Sequence, residues 1–366
     1  MKQSWHIARR LGLGLVLIAA CASLLLISDW NQGRRSVNSL PRVAIFQFSS
    51  QIILEEGVRG MMDALRDHGY IEGRTMHLQM FNSENDVPTA DSMARELTGG
   101  RFDYVFSVST NCLQAVAKRN KEGRVKHVFG VVADPLAAGV GINPKDPLDH
   151  PKNMVGIGTL APVDKLLEIA KRMNPRLQRV GLPWNPSQAN SEAYTRIART
   201  ASPSLGIELL EGTVDSTPST GEVVASLVGR GAEAILITGD LTVSLAIDAV
   251  VAEASKGGVP VISTQPEMVA RGALVALGGD YYQIGRDTGD LAARVLGGED
   301  MNRMPVIYST PTKMAINQNA AAKLKSAWVF PPDVLAKAVE ASGIAASATS
   351  TGNTKTMEQV SSPSAK

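Results

Sequence analysis

Short apolar runs alternate with amphipathic stretches along most of the chain, which is the pattern of strands followed by helices. Residues 43–48 predict a buried strand, and apolar side chains recur at helical spacing over residues 54–68, with Gly69 as the predicted stop. The elements predicted next are a strand at 76–81, a helix at 88–97, a strand at 104–108, a helix at 111–118 and a strand at 128–132. Strands that alternate with helices indicate a parallel sheet with right-handed crossovers.

A second series of elements follows residues 134–153, which predict a long loop rich in glycine and proline. It comprises helices at 163–173, 191–201, 221–228 and 241–254, and strands at 180–184, 207–211, 234–238, 259–263 and 273–277. These elements predict a second parallel sheet. The helix at 282–296 and the strand at 306–308 are expected to cross back to the first sheet.

The chain is therefore predicted to have an α/β fold with two doubly wound parallel-sheet lobes joined by a hinge. The N-terminal lobe is expected to span 41–157 and about 282–310, and the C-terminal lobe 158–281 and about 311–335. Residues 342–366 are too poor in large apolar side chains to form a core, which predicts a disordered tail.

The first 35 residues predict an export leader, because Arg9 and Arg10 precede an apolar run at 11–27. Within it, residues 18–21 resemble the lipobox of bacterial lipoproteins, in which Cys21 would carry the lipid. The run continues beyond Cys21, and its length of about 17 residues is near the lower limit for spanning a bilayer. An uncleaved membrane anchor and cleavage with release therefore remain as alternatives. Each places the bulk of the chain outside the cytoplasm.

The composition of the chain mainly excludes classes of function. Hydrophobic residues make up 44% of the chain and charged residues 20%, and the net charge of +2 provides no basic field for nucleic acid. The two cysteines, Cys21 and Cys112, give no disulfide framework, and Cys112 is expected to be a small packed residue. The five histidines lack metal-ligand spacing and are expected at the surface or in loops. Because phosphate-loop, dinucleotide and nucleophile-elbow motifs are also missing, we predict no catalytic residue, metal or cofactor.

Polar side chains recur just beyond the predicted strands, where open parallel sheets bind their ligands. They are Ser49, Ser109, Thr110 and Asp134 in the first half, and Asn185, Asn190, Ser191, Asp240, Gln265 and Asp280 in the second. If the two sheets face each other across a cleft, these residues converge on it. Hydroxyls, amides and helix starts would hold a carboxylate, and Asp134, Asp240 or Asp280 would pair with an ammonium group. Each residue taken singly is also typical of an ordinary turn.

Residues 180–192 combine a strand, a polar turn and a helix start in one short stretch. Backbone amides at a helix start suit an anion, so this junction predicts a small acid as the ligand. The alternative is that Asn190 and Ser191 only cap their helix. Trp184, at the strand end, could stack on an aromatic ligand or pack into the core.

Short motifs in a specific order cover residues 42–332. They are Phe46-Gln-Phe, Glu56-Gly57, Gly69-Tyr-Ile-Glu-Gly73, Asp103-Tyr-Val-Phe-Ser-Val-Ser-Thr110, Asp134-Pro135, Gly139, Asn153-Met-Val-Gly156, Asn185-Pro-Ser, Asn190-Ser191, Gly279-Asp-Tyr281, Gly285 and Asn317. Each motif is weak by itself. In this order they resemble the ABC-transporter substrate-binding proteins of the tryptophan/tyrosine type.

The resemblance implies a periplasmic-binding-protein fold of type I that closes on an aromatic amino acid or similar ligand and presents it to a membrane permease. The ligand shell it implies consists of Ser49, Ser109, Thr110, Asp134, Asn185, Asn190, Ser191, Asp240 and Asp280. The chain departs from the family at Gln51, where many relatives have histidine, and at Trp184, where they have tyrosine. The identity of the ligand therefore stays open.

Three other functions share this architecture. The same receptor could report its ligand to a membrane sensor instead of delivering it, which a retained anchor would favour. A third hypothesis is an envelope enzyme on a doubly wound fold. A DNA-binding repressor core is disfavoured, because the chain begins with a leader instead of a helix-turn-helix.

Overall fold

Two β-sheets, one in each lobe, organise residues 40–340, which are the residues that this computed structural model describes. The predicted leader with Cys21 and the predicted tail lie outside these residues. The strands are β1 (Arg42–Gln47), β2 (His77–Asn82), β3 (Tyr104–Val108), β4 (Lys126–Val132), β5 (Met154–Gly158), β6 (Arg179–Trp184), β7 (Glu208–Thr213), β8 (Ala234–Ile237), β9 (Val261–Ser263), β10 (Val275–Gly279), β11 (Ile307–Tyr308), β12 (Thr312–Ile316) and β13 (Val339–Glu340).

The first sheet has the strand order β11-β5-β4-β3-β1-β2, and its neighbouring strands are all parallel. The second has the order β13-β12-β10-β9-β8-β6-β7. The strands predicted for this sheet are parallel to one another, as expected, whereas β12, which the sequence pattern missed, runs antiparallel to β10. Residues 309–311 connect β11 of the first sheet to β12 of the second.

Helices cover the sheets and make most of the connections between strands. They are α1 (Ile52–Asp67), α2 (Val87–Glu96), α3 (Thr110–Arg119), α4 (Val163–Met173), α5 (Ala189–Ala201), α6 (Thr220–Gly229), α7 (Leu241–Leu245), α8 (Ile247–Gly257), α9 (Tyr281–Leu296), α10 (Gln318–Ala321) and α11 (Pro332–Lys337). The single helix predicted at 241–254 is wrong, because Ala246 departs from helical geometry and separates α7 from α8.

The sequence pattern missed three strands, β5, β12 and β13. Two of the five residues of β5 are glycines, which are poor strand formers. Gly156 is needed because a Cβ atom there would lie 2.3 Å from the carbonyl oxygen of Phe129 on the neighbouring strand. Packing therefore requires glycine in β5, and because glycine has a low strand propensity the sequence pattern does not reveal this strand.

The interiors of both lobes are apolar, with a few buried polar groups. Cys112 is fully buried in the first core, which confirms its predicted packing role. His127 in β4 is also fully buried, so the expectation of a surface or loop position is wrong for this residue. Its ring nitrogen Nε2 lies 2.7 Å from the Ser107 hydroxyl, and burial lowers its pKa to about 3. A neutral imidazole with a hydroxyl partner can replace an apolar core residue.

Helices α1 and α9 pack closely because glycines face the contact. A Cβ atom at Gly285 would lie 2.1 Å from the Gly57 carbonyl oxygen, and one at Gly60 would lie 2.0 Å from that of Tyr282. Both helices begin next to the gap between the sheets, α1 after β1 and α9 after β10. Their contact fixes where the first residues of each helix lie.

Candidate ligand-binding cleft

A small cavity lies between the lobes, beyond the carboxyl ends of the parallel strands. Its volume is about 30 Å³. Both lobes contribute to its wall, which consists of Ile53, Leu54, Ser109, Thr110, Val131, Ala133, Thr159, Asn190, Tyr194, Gly239, Leu241 and Tyr281. Three residues of the predicted ligand shell, Ser109, Thr110 and Asn190, are among them.

Ser109 brings the start of α3 to the wall through an unusual backbone conformation. Its φ of 120° is rare for a residue other than glycine. The Ser109 hydroxyl caps α3 by accepting from the Cys112 amide at 3.2 Å, and the Ser109 amide donates to the Gly130 carbonyl at 3.3 Å. Strained residues of this kind concentrate at functional sites.

Val131 is a second strained residue on the same wall. It has a φ of 52°, and the pairing of β4 with β5 shifts between Phe129 and Val132. A β-branched residue with positive φ is an outlier, and an interruption of this kind redirects a side chain. The Val131 side chain comes within 2.6 Å of where a Gly57 Cβ atom would be, so the irregularity seats β4 against α1.

Two buried tyrosines complete the wall. Tyr194 lies on α5, four residues after Asn190, and Tyr281 is the first residue of α9. The Tyr194 ring occupies the space where Gly239 would carry a side chain, with Cε2 2.4 Å from that Cβ position. Burial raises the pKa of Tyr194 to about 12 and that of Tyr281 well above its ordinary value, so both phenols are neutral.

Asn190 contributes an unpaired acceptor. Its Nδ2 group donates to the Gly239 carbonyl at 2.7 Å, which fixes the orientation of the amide. Its Oδ1 atom is buried and has no hydrogen-bond partner in the structure. Helix α5 begins at Ala189 after Gln188, so Asn190 and Ser191 lie in its first turn and do not cap it.

Two direct contacts join the lobes beside the cavity. Gln51 follows β1 in the first lobe, and its Nε2 group donates to the Leu241 carbonyl of the second lobe at 2.9 Å. The Arg196 guanidinium, from α5, forms an ion pair with Asp134 at 3.2 Å. The first contact is buried and the second is partly exposed. Together they connect the two lobes across the cleft.

Asp240, Ser191 and Asn185 form a hydrogen-bonded network within the second lobe and do not lie on the cavity wall. Asp240 Oδ2 accepts from the Asn185 amide at 2.6 Å and from the Ser191 hydroxyl at 2.5 Å, and Oδ1 accepts from the Val243 amide at 2.8 Å. Burial raises the pKa of Asp240 against these hydrogen bonds. Both oxygens of the Asp240 carboxylate are therefore hydrogen-bonded within the protein. The structure does not support the predicted pairing of Asp240 with a ligand ammonium group.

Asp134 and Asp280, the other two acids predicted to pair with a ligand ammonium group, also bind groups of the protein. Asp134 accepts from the amides of Leu136 and Ala137 and pairs with Arg196, and Asp280 caps α9 by accepting from the Gln283 amide at 3.1 Å. Ser49 lies off the wall, although its buried hydroxyl has no partner in the structure.

Trp184 lies within the second core. The Arg199 guanidinium covers its ring at 5.0 Å from the centroid, and Arg199 also pairs with Glu211 at 2.8 Å. The ring does not line the cavity, so packing into the core describes Trp184 better than stacking on a ligand.

The residues that the sequence pattern missed include both tyrosines, Thr159 and the apolar pair Ile53 and Leu54. Tyr194 could have been found from its spacing, since residues four apart on a helix share a face and Asn190 was a candidate. Thr159 directly follows β5, which carries no recognisable strand pattern.

The chain matches the family of ABC transporter substrate-binding proteins over residues 42–341 and belongs to that family. It is a family of extracytoplasmic substrate-binding proteins and not of enzymes. The predicted two-lobed type I periplasmic-binding-protein fold and the predicted solute-binding role are thereby confirmed.

Individual relatives agree with this placement. A tyrosine-binding protein of Clostridioides difficile is 26% identical over 313 residues, which cover 85% of this chain and 89% of that protein. A conserved domain protein from Vibrio cholerae has a crystal structure that is similar with a TM-score of 0.76 at 27% identity, covering 82% of this chain and 99% of that one. An ABC domain from Streptococcus pneumonia in complex with L-Trp has the same TM-score of 0.76 at 24% identity, with the same coverage of 82% and 99%.

Over residues 40–340, no helix combines the length and the apolar character needed to cross a bilayer. Within the same residues, no group of three or more His, Cys, Asp or Glu side chains is arranged to hold a metal ion.

Proposed function

We propose that the protein binds an aromatic amino acid, or a similar small carboxylate ligand, between its lobes and delivers it to the permease of an ABC importer. The observation that carries this proposal is the cavity itself, which two buried tyrosine rings, the start of α3 and the unpaired Asn190 oxygen enclose. The tyrosine-binding relative and the L-Trp complex of a structural neighbour support the choice of ligand class.

The wall suits the two ends of such a ligand. The start of α3, a helix of ten residues, offers backbone amides and the positive end of a helix dipole to a carboxylate. Tyr194 and Tyr281 offer flat apolar faces to a ring, and aromatic pairs gain about 0.5–1.5 kcal/mol beyond the area they bury.

Binding requires the lobes to separate and close again. A cavity of about 30 Å³ equals the volume share of roughly one water molecule, far less than an aromatic amino acid needs. We place the lobes at 41–157 with about 282–310 and at 158–281 with about 311–335, so that the chain crosses between them at the hinge. Ligand contacts from both lobes form only on closure, so the ligand shifts the population toward the closed form.

Isothermal titration of the full chain, purified in mild detergent, tests the proposal with L-Tyr, L-Trp, L-Phe, aliphatic amino acids and sugars. We expect selective binding of an aromatic amino acid and at least about tenfold weaker binding by Tyr194→Ala, since a buried aromatic truncation typically costs more than 1.4 kcal/mol. Tyr308→Ala is the matched control, because Tyr308 is half exposed and does not line the cavity. Selective binding of a sugar, or equal effects of the two substitutions, would contradict the proposal.

The N-terminal segment is proposed to tether the receptor to the outer face of the membrane, by a lipid on Cys21 or by an uncleaved helix. Both forms keep the binding lobes beside the permease. Intact-mass analysis of protein from native membranes distinguishes them, because lipidation removes the first 20 residues and adds the mass of acyl chains. If the wild type is lipidated, Cys21→Ala should either be released from the membrane or keep its full leader, unlike the wild type. If the leader is an uncleaved helix, Cys21→Ala should behave as the wild type does. A wild-type protein that lacks both the leader and the lipid would contradict tethering.

A further inference from the structure

A second cavity of about 140 Å³ lies between the lobes, next to the first. Residues 50–53 at the start of α1 form one side, and side chains from the stretches 244–247 and 265–271 of the second lobe form the other. Ile53 lines both cavities, and the hydrogen bond from Gln51 to the Leu241 carbonyl lies between them, because Gln51 lines the second cavity and Leu241 the first. The two cavities are therefore neighbouring parts of one cleft.

Three side chains on the wall of the second cavity contain buried oxygen atoms without a hydrogen-bond partner in the structure. They are Gln51 Oε1, Gln265 Oε1 and Glu267 Oε2. Gln51 and Glu267 are each 8% exposed, and Gln265 is fully buried. A buried acceptor without a partner costs about 1–3 kcal/mol, and more when it is charged, so three in one cavity call for an explanation.

The two amide orientations are fixed by their opposite ends. Gln51 Nε2 donates to the Leu241 carbonyl, and Gln265 Nε2 donates to the Thr238 carbonyl at 2.9 Å and to the Ser244 hydroxyl at 2.6 Å. Rotating either amide would place its oxygen against a carbonyl oxygen. The unpaired atoms are therefore acceptors, and the group that satisfies them must bring hydrogen-bond donors.

The charges around the cavity favour a cation. Glu56 from α1 and Asp280 from the start of α9 are close enough to interact unfavourably with Glu267, and Lys313 of β12 offsets them in part. Arg271 also lines the cavity, but its guanidinium is bonded to Asp248, with NH2 2.6 Å from Oδ2. Burial, followed by Glu56 and Asp280, raises the pKa of Glu267 to about 7, as expected for a buried carboxylate without a cationic partner.

We propose that this second cavity is the subsite for the ammonium group of the bound ligand, held by Gln51, Gln265 and Glu267. The inference rests on the proposed function and refines it, because Glu267 replaces Asp134, Asp240 and Asp280 as the acid that pairs with the ligand. An ammonium has three donors, which match the three unpaired oxygens in number. Aromatic acids without an amino group would leave these oxygens unsatisfied and bind more weakly.

The test is isothermal titration of the full chain with an aromatic L-amino acid and with its des-amino analogue, 3-phenylpropionate, 3-(4-hydroxyphenyl)propionate or indole-3-propionate. Glu267→Gln keeps the shape of the side chain and removes the charge. We expect it to weaken amino-acid binding by about 10- to 100-fold, the usual range for a lost charge-assisted hydrogen bond, and to change the affinity of the analogue less than threefold. Glu55→Gln, on the exposed face of α1, is the matched control and should change neither.

Several results would overturn the subsite. One is that Glu267→Gln loses equal affinity for the amino acid and for its des-amino analogue. Another is that Glu267→Gln binds the amino acid as tightly as the wild type does. Saturable binding of Na⁺ or K⁺ by the ligand-free protein, lost in Glu267→Gln, would assign the cavity to an inorganic cation instead. If aromatic amino acids fail to bind but another primary amine, such as tyramine or an aliphatic amino acid, binds and is lost in Glu267→Gln, the ligand assignment fails while the subsite stands. If no primary amine binds, both fail.

Discussion

At the scale of single residues, two buried acids of the second lobe differ in how their oxygens are satisfied. Both carboxylate oxygens of Asp240 accept hydrogen bonds from Asn185, Ser191 and Val243. Glu267 instead leaves Oε2 without a partner at the cleft. Burial raises the pKa of each group, but only Glu267 has an oxygen free for a ligand. We therefore expect Asp240 to matter for folding and Glu267 for binding.

Replacing Asp240 with alanine is expected to destabilise the protein by about 3 kcal/mol or more. The substitution leaves two buried amides and the Ser191 hydroxyl without their acceptor, each at a cost of about 1–3 kcal/mol. Urea unfolding measures the loss. The control Asp248→Ala removes an exposed ion pair with Arg271 and should cost less than about 1 kcal/mol. Similar losses in the two variants would show that the Asp240 network does not support the lobe.

The raised pKa of Glu267 predicts a pH dependence of the ligand-free protein. Its ordinary value of 4.5 rises to about 7 in the closed form, so the stabilising contribution of the protonated group is complete below about pH 4.5 and is lost as the pH rises through 7. At pH 8 we expect Glu267→Gln to be more stable than the wild type. The gain has an upper limit of about 3 kcal/mol, from 1.36 kcal/mol per pKa unit, because opening the cleft returns water to the carboxylate.

Thermal unfolding between pH 4.5 and 8 measures this difference. Glu56, Asp280 and Lys313 remain in place in the variant, so the change isolates the Glu267 carboxyl. Parallel pH profiles of the wild type and Glu267→Gln would mean that Glu267 is already solvated or paired. The exposed control Glu55→Gln should reproduce the wild-type profile.

At the scale of elements, the contact between α1 and α9 positions the cleft. The two helices approach until only glycines fit, at Gly57 and Gly60 on α1 and at Gly285 and Gly289 on α9. Gln51 and Ile53 begin α1, and Asp280 and Tyr281 begin α9, so a change in the distance between the helices moves the walls of both cavities. The packing of these helices and the geometry of the site are therefore coupled.

Gly285→Ala is expected to cost about 2–3 kcal/mol or more in the free energy of unfolding. The new Cβ atom would lie 2.1 Å from a backbone oxygen of Gly57, which cannot move without separating the helices. Gly229→Ala at the end of α6 is the matched control, because no atom lies within 4 Å of its Cβ position. Chemical unfolding should show a change of less than about 1 kcal/mol for the control. Equal stability of the two variants would contradict the close helix contact.

At the scale of the whole molecule, two of the contacts between the lobes differ in their exposure to solvent. The hydrogen bond from Gln51 to Leu241 is buried, whereas the Arg196–Asp134 ion pair has its arginine more than half exposed. Solvent and salt weaken an exposed pair much more than a buried hydrogen bond. We infer that the ion pair has only a small effect on the equilibrium between open and closed lobes, and that contacts with the ligand determine this equilibrium.

Arg196→Gln is accordingly expected to lower ligand affinity by no more than about fivefold, which corresponds to 1 kcal/mol or less for an exposed pair. The difference from the wild type should disappear in 0.5 M salt, where the Debye length is only about 4 Å. Titrations at low and high salt measure both effects. A large loss of affinity that persists in high salt would show that Arg196 binds the ligand directly.

The sequence pattern predicted the alternation of strands and helices, the two lobes and the side of the sheets where the cleft lies, because these follow from periodicity and chain topology. It did not predict the roles of the acids. Asp240 and Glu267 both follow strands of the second lobe, and only the packing around them decides which carboxylate is satisfied. Strand β5 was missed because packing requires its glycines, which have a low strand propensity. Tyr281 was missed because the polar residue before it, Asp280, was the ligand-shell candidate at this strand end.

The most direct test of the account is a crystal structure of the protein grown with the aromatic amino acid that binds it most tightly in the titrations. The account predicts ligand density between the closed lobes, with the ring against Tyr194 and Tyr281, the carboxylate at the start of α3 and the ammonium beside Glu267 and Gln265. Density in the cleft that leaves Glu267 Oε2 unpaired would contradict the ammonium subsite. Ligand density outside the cleft, with both tyrosines untouched, would contradict the central claim that this cleft is the binding site.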